Sequence, residues 1–281
     1  MSGLRQEQLF KPQAALVIIA HGSTLNPDSS EPAHRHGDCI RQMNLFGEVV
    51  CAFWKEQPGL RDVLFMLDSE EVYIVPLFIS EGYFTREVIP RELGLTGSIT
   101  RQSGKTLYYC DPVGIHPSMT GLLLHRAHEA APAAPPEQTT LFIAGHGTGL
   151  NERSREAIEA QVRRIRELPA PRFAAVHDIY MEETPLVSDW PKLTDTEHAV
   201  VVPFFIADGL HSYQDIPVML GLEKEPTSAA SQRCVFRENP VRLHGRLLYY
   251  SAAVGADSLM PQVILDQVAD FDARQLQSTP S

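Results

Sequence analysis

No apolar run in this chain reaches the roughly 18 residues that a membrane-spanning helix needs, and the N-terminal MSGLRQEQLF has no signal-peptide core. A cytoplasmic protein without a membrane partner is expected. Cysteine is scarce. Cys39, Cys51, Cys110 and Cys234 stand far apart with no C-x-x-C pair, which argues against a zinc ribbon, a thioredoxin-type motif and a disulfide framework. They read as buried free thiols. Basic residues are outnumbered, 24 Lys and Arg against 35 Asp and Glu, and the formal net charge of -11 has the wrong sign for a nucleic-acid partner. An anionic small molecule would need locally placed cations.

What is present is a chain of 281 residues, 43% of them hydrophobic, long enough for two modest cores. It also repeats itself. Residues 14–24, AALVIIAHGST, reappear at 139–149 as TTLFIAGHGTG, so that His21 matches His146. Residues 72–90, VYIVPLFISEGYFTREVIP, return at 199–217 as AVVVPFFIADGLHSYQDIP, with Pro76 on Pro203 and Gly82 on Gly209. A third block, GKTLYYCDPVG at 104–114, returns at 245–255 as GRLLYYSAAVG. Three matched blocks in the same order define two domains, residues 1–130 and 138–281, joined by a proline-rich linker at 131–137. The polar tail from about Gln267 is expected to fray.

Each half alternates short apolar runs with helical stretches. VIIA, VVCAF, VYIVPLFI and TLYY in the first half, and LFIAG, FAAVH, AVVVPFFI and LLYY in the second, are the near-continuous runs of strands buried on both faces. Residues 151–168 carry Ile158, Val162 and Ile165 at helical spacing. The predicted fold class is α/β: two similar doubly wound parallel-sheet domains. In such folds ligands bind beyond the carboxyl ends of the strands.

Three chemically capable side chains fall at strand ends of the second half. His146 follows LFIAG between Gly145 and Gly147, Glu182 follows FAAVHDIYM, and His211 lies just past AVVVPFFI in a glycine-containing loop. Imidazole and carboxylate suit borderline first-row divalent ions, and so few ligands leave a metal site open. A histidine phosphatase would need Arg directly before the strand-end His, where Ala20 and Gly145 stand. Of the other histidines, His34, His36, His125 and His128 read as solvated helix surface, and His116 as a turn residue.

HGT at 146–148, YMEETP at 180–185 and PFFIADGLHSYQDIP at 203–217 together resemble the signatures of the sirohydrochlorin cobaltochelatase and ferrochelatase family, the class II chelatases. The resemblance covers nearly the whole chain. It implies two α/β domains facing each other across a cleft that holds a tetrapyrrole, and a lyase of cobalamin or siroheme biosynthesis. Its substrates would be sirohydrochlorin or a relative and a divalent metal, Co2+ or Fe2+ with Ni2+ as a further candidate; no organic cofactor is expected. The metal-handling and catalytic residues it implies are His146, Glu182 and His211. A non-catalytic metal or tetrapyrrole carrier would present the same residues.

The first half departs from this pattern. It keeps His21, but Lys55 stands opposite Glu182 and Phe84 opposite His211, with Glu56 as a stand-in only by a one-residue slip. Its site is expected to be degenerate and to bind the tetrapyrrole instead. Lys55 and Arg86 would meet the substrate's carboxylates, Phe84 would face the macrocycle, and His21 would line the same wall.

Overall fold

The computed structural model describes residues 9–24, 29–147, 152–225, 236 and 238–278. Two five-stranded sheets organise it. In the first, β1 (Lys11–Ala20), β2 (Phe46–Phe53), β3 (Glu71–Pro76), β4 (Ile99–Gln102) and β5 (Lys105–Tyr109) are ordered β2-β1-β3-β5-β4. In the second, β6 (Thr139–Gly145), β7 (Ala175–Tyr180), β8 (His198–Pro203), β9 (Val241–Leu243) and β10 (Arg246–Tyr250) repeat that order as β7-β6-β8-β10-β9. The central strands β1 and β6 are buried almost throughout, which is why their sequences are unbroken apolar runs. Ile74, Leu107 and Ile89 close one core; Phe142, Val201 and Trp190 close the other.

Each sheet is mixed, not purely parallel. The short edge strands β4 and β9 run antiparallel to β5 and β10. The hairpin turns between them carry left-handed residues, Ser103 and Gly104 in one and His244 and Gly245 in the other. Short polar strands at a sheet edge lack the long apolar run by which buried strands announce themselves.

The described α-helices are α1 (Glu31–Gln42), α2 (Leu60–Val63), α3 (Ile89–Leu93), α4 (Met119–Ala130), α5 (Glu152–Glu167), α6 (Ile216–Leu220) and α7 (Met260–Ser278). The two compact units divide the chain as Met1–Ser118 with Ser258–Ser281, and Met119–Asp257. Helix α4 thus follows the first sheet in sequence but packs on β8 and α5 of the second unit. Helix α7 follows the second sheet and packs on β3 and α1 of the first. The proline-rich stretch 131–137 consequently lies inside the second unit, and the repeat boundaries read from sequence do not coincide with the compact units.

Helix α7 also corrects the expectation of a frayed tail from Gln267. It runs to Ser278 because it has a sheet to cover: Gln267 is buried and donates to the Pro112 carbonyl at 2.8 Å, and Asp272 accepts from Tyr73 at 2.9 Å. His36 is buried rather than solvated, and His125 reaches inward to Asp257. Cys51 and Cys110 are buried and Cys39 half-buried; Cys234 lies outside the described residues. Burial pushes the Cys51 thiol up to about 11. Among the described residues no helix is long and apolar enough to cross a membrane.

Candidate active site

Parallel pairing on both sides of a central strand fixes what stands at its carboxyl end. Gly145 pairs with Tyr180 on β7 while Ala144 pairs with Pro203 on β8, so His146, Glu182 and the loop after β8 emerge together. The amide of Glu182 donates to the His146 carbonyl at 3.1 Å, which extends the strand pairing by one step and sets the two side chains side by side. Gly147 has φ +64, and a Cβ there would lie 2.6 Å from the Tyr180 Cβ. The chain turns away directly behind the imidazole because no side chain fits. Gly145 serves a different end, since a Cβ on it would collide with Ile158 of α5.

After β8, residues His211–Asp215 form one π-helical turn that runs into α6. It is tied to the sheet by Tyr250 of β10, whose buried hydroxyl donates to the Ser212 carbonyl at 2.8 Å. Burial holds that phenol well above its ordinary pKa, so it remains a donor. The turn brings the His211 ring to 5.0 Å from the His146 ring, edge to face at 84°. The Glu182 carboxylate is 3.7 Å from His146 Nδ1, a buried atom without a hydrogen-bond partner among the described residues. His211 Nδ1 lies 2.7 Å from the Asp215 carboxylate. His146 is therefore flanked by both of its expected companions, Glu182 and His211.

This is an open set. Among the described residues, three ligand atoms within 4.8 Å of one another occur only at His125, Glu129 and Asp257. There the guanidinium of Arg126 already lies 2.8 Å from Glu129 and 3.2 Å from Asp257. A cation bound among those carboxylates would meet a fixed positive charge, so that group is an ion-pair cluster.

The first unit builds the same scaffold with other side chains. Ala20 pairs with Phe53, and the amide of Lys55 donates to the His21 carbonyl at 2.9 Å, as Glu182 does to His146. Lys55 is thus the positional match of Glu182. Glu56 does not slip into its place: its carboxylate accepts from the Ser23 amide at 2.5 Å. Phe84–Val88 form the matching π-helical turn, tied by Tyr109 to the Thr85 carbonyl at 2.6 Å. The Phe84 ring stands 4.8 Å from His21 at 77°, close to the geometry of His211 on His146. Phe84 also contacts Trp54, Phe78 and Tyr83. Lys55 is exposed with its ammonium 5.7 Å from the Trp54 ring, and Arg86 is paired with Glu81 at 2.5 Å.

The family follows from comparison of this chain with known proteins. The CbiX family model matches it twice, over residues 15–130 and 140–271. The chain belongs to the CbiX family. A CbiX relative from Halobacterium salinarum, named a probable sirohydrochlorin cobaltochelatase, is 42% identical over 277 residues, 92% of either chain. A multi-domain protein of Deinococcus radiodurans with structural similarity to chelatases superposes with TM-score 0.76 at 28% identity, covering 91% of this chain and 54% of that one. SirB from Bacillus subtilis, solved with Fe3+, superposes with TM-score 0.70 over 94% of this chain and 98% of its own, and at 15% identity that likeness concerns the fold alone.

Two residues of this candidate site are not singled out by the sequence, Asp215 and Tyr250. Both left a signal. Asp215 stands at i+4 from His211, the spacing that lets side chains meet on a helical turn, and Tyr250 occupies the repeated LYY block opposite Tyr109.

Proposed function

We propose that this protein inserts a divalent metal, Co2+ or Fe2+, into sirohydrochlorin or a closely related tetrapyrrole, with His146, Glu182 and His211 as the residues that handle metal and protons. The observation that carries the reading is His146 set between a carboxylate at 3.7 Å and a second imidazole at 5.0 Å, at the carboxyl ends of parallel strands. The relative from Halobacterium salinarum, similar over nearly its full length, carries the name of that activity.

Insertion replaces two pyrrole protons by the metal, which exchanges water and protein ligands for four ring nitrogens. A neutral imidazole holds the ion or accepts a proton, and a half-exposed carboxylate offsets charge and passes protons to water. The open arrangement suits a metal that must leave. A closed three-ligand cage would retain it.

The first unit supplies binding in this reading. Lys55, exposed beside Trp54, meets a substrate carboxylate, and Phe84 and His21 offer ring surface to the macrocycle. Arg86 contributes less than its charge suggests, since Glu81 already neutralises it. A cytoplasmic location accords with a water-soluble substrate pair.

The test is optical. Purified protein is mixed with sirohydrochlorin and Co2+, Fe2+ or Ni2+, and the spectral change of metallation is followed against the uncatalysed rate. Acceleration over multiple turnovers is expected; stoichiometric binding without acceleration by any metal would establish a carrier instead.

A further inference from the structure

We propose that Asp215 is a positioning residue that selects which nitrogen of His211 meets metal or substrate. The inference rests on the role given to His211 above. A carboxylate only accepts, so its contact at 2.7 Å requires a hydrogen on His211 Nδ1. In a neutral imidazole the lone pair is then on Nε2, and Nε2 becomes the ring's one ligand or base. Without the carboxylate, the ring divides between two tautomers, and one of them offers no lone pair at Nε2.

The first unit serves as an internal control for whether Asp215 has a merely structural purpose. Its π-helical turn ends in Val88 where the second ends in Asp215, and it begins with Phe84 where the second begins with His211. The backbone ties are common to both turns. Ile89 donates to the Phe84 carbonyl as Ile216 does to that of His211, and the tyrosine hydroxyl reaches the carbonyl of the second residue in each. The turn therefore forms without a carboxylate at its last position. Carboxylate and imidazole occur together in one unit and are absent together from the other, as expected if the carboxylate acts on the imidazole and not on the fold.

His146 shows a related arrangement. Its Nδ1 is the buried nitrogen that faces the Glu182 carboxylate at 3.7 Å. Both histidines thus turn Nδ1 toward an acid, at different distances, and Asp215 makes the closer and firmer contact.

Asp215→Val tests this with the side chain that the matching turn already accommodates. In the full-length, metal-free, 15N-labelled protein, long-range proton–nitrogen imidazole spectra recorded over a pH series and read on the high-pH plateau should show the Nδ1–H tautomer for His211. In D215V that resonance should move to the mixture free imidazole adopts, with the thermal midpoint kept. Metallation should fall by about 10–100-fold, the range for loss of a partner behind a metal-binding histidine. An Nε2–H tautomer in the unaltered protein, or a D215V protein with unchanged tautomer and rate, overturns the proposal. If the tautomer shifts as expected while the unaltered protein metallates nothing, the chelatase reading falls and the assignment of Asp215 stands.

Discussion

At the scale of single residues, the matched positions in the two units make opposite predictions for the same substitution. His146 has Glu182 at 3.7 Å and His211 at 5.0 Å, so His146→Ala removes one member of a cooperating set. Turnover should drop by about 100-fold or more, the scale of lost acid–base assistance. His21 has Lys55 and Phe84 in those places, a cationic side chain and a hydrocarbon ring where His146 has a carboxylate and an imidazole. His21→Ala should keep most of the rate and show its loss as a higher KM for the tetrapyrrole. Steady-state kinetics on the two variants decide the matter, and the reverse order would move the active site to the first unit. Glu182→Gln, which keeps shape and removes charge, should lower kcat more than it weakens tetrapyrrole binding; equal losses would make Glu182 a binding residue. His211→Ala should abolish nearly all metallation with the circular dichroism spectrum unchanged, because the exposed ring supports no core.

At the scale of elements, the π-helical turns are the parts that convert sheet geometry into site geometry. Each hangs on one phenol, Tyr250 to Ser212 and Tyr109 to Thr85. Replacing either by Phe leaves a carbonyl unpaired and should cost about 1–3 kcal/mol in urea unfolding. The functional effects should differ. Tyr250→Phe loosens the turn that aims His211 and should slow metallation, whereas Tyr109→Phe loosens a turn that carries Phe84 and should leave kcat near its starting value. Equal kinetic losses in both would show that the turns act through stability alone.

At the scale of the molecule, the exchange of α4 and α7 between the units is accompanied by a reversal of charge at matched positions. In the first unit, His116 at the turn after β5 meets Asp270 of α7 at 3.0 Å. In the second, Asp257 at the corresponding turn meets His125 of α4 at 2.8 Å and Arg126 at 3.2 Å. Asp266 of α7 stands where α4 carries His125, so the two helices differ in charge at that matched position, while Glu129 of α4 matches Asp270 of α7. Asp257 is fully buried, so Asp257→Ala strands its partners and should cost about 3 kcal/mol or more in urea unfolding. In a double-mutant cycle with Arg126→Ala the losses should be strongly non-additive. Additive losses would show that Asp257 and Arg126 are not coupled.

The sequence by itself determined the repeat, the α/β class and the strand ends at which His146, Glu182 and His211 emerge. Strands buried on both faces must be apolar throughout, so the ends of such strands are legible in the sequence. It did not determine which sheet α4 and α7 cover, because an amphipathic helix shows an apolar face without naming the surface that will meet it. Nor did it reveal the antiparallel edges β4 and β9, whose few polar residues leave no hydrophobic period. The commitments of charged side chains were also decided only in three dimensions. Arg86 is held by Glu81, Glu56 accepts from the Ser23 amide, and Asp215 bonds to His211. A side-chain partner is fixed at the scale of one hydrogen bond, about 3 Å. Hydrophobic periodicity locates a residue only to its strand or turn, and the tertiary structure supplies the rest.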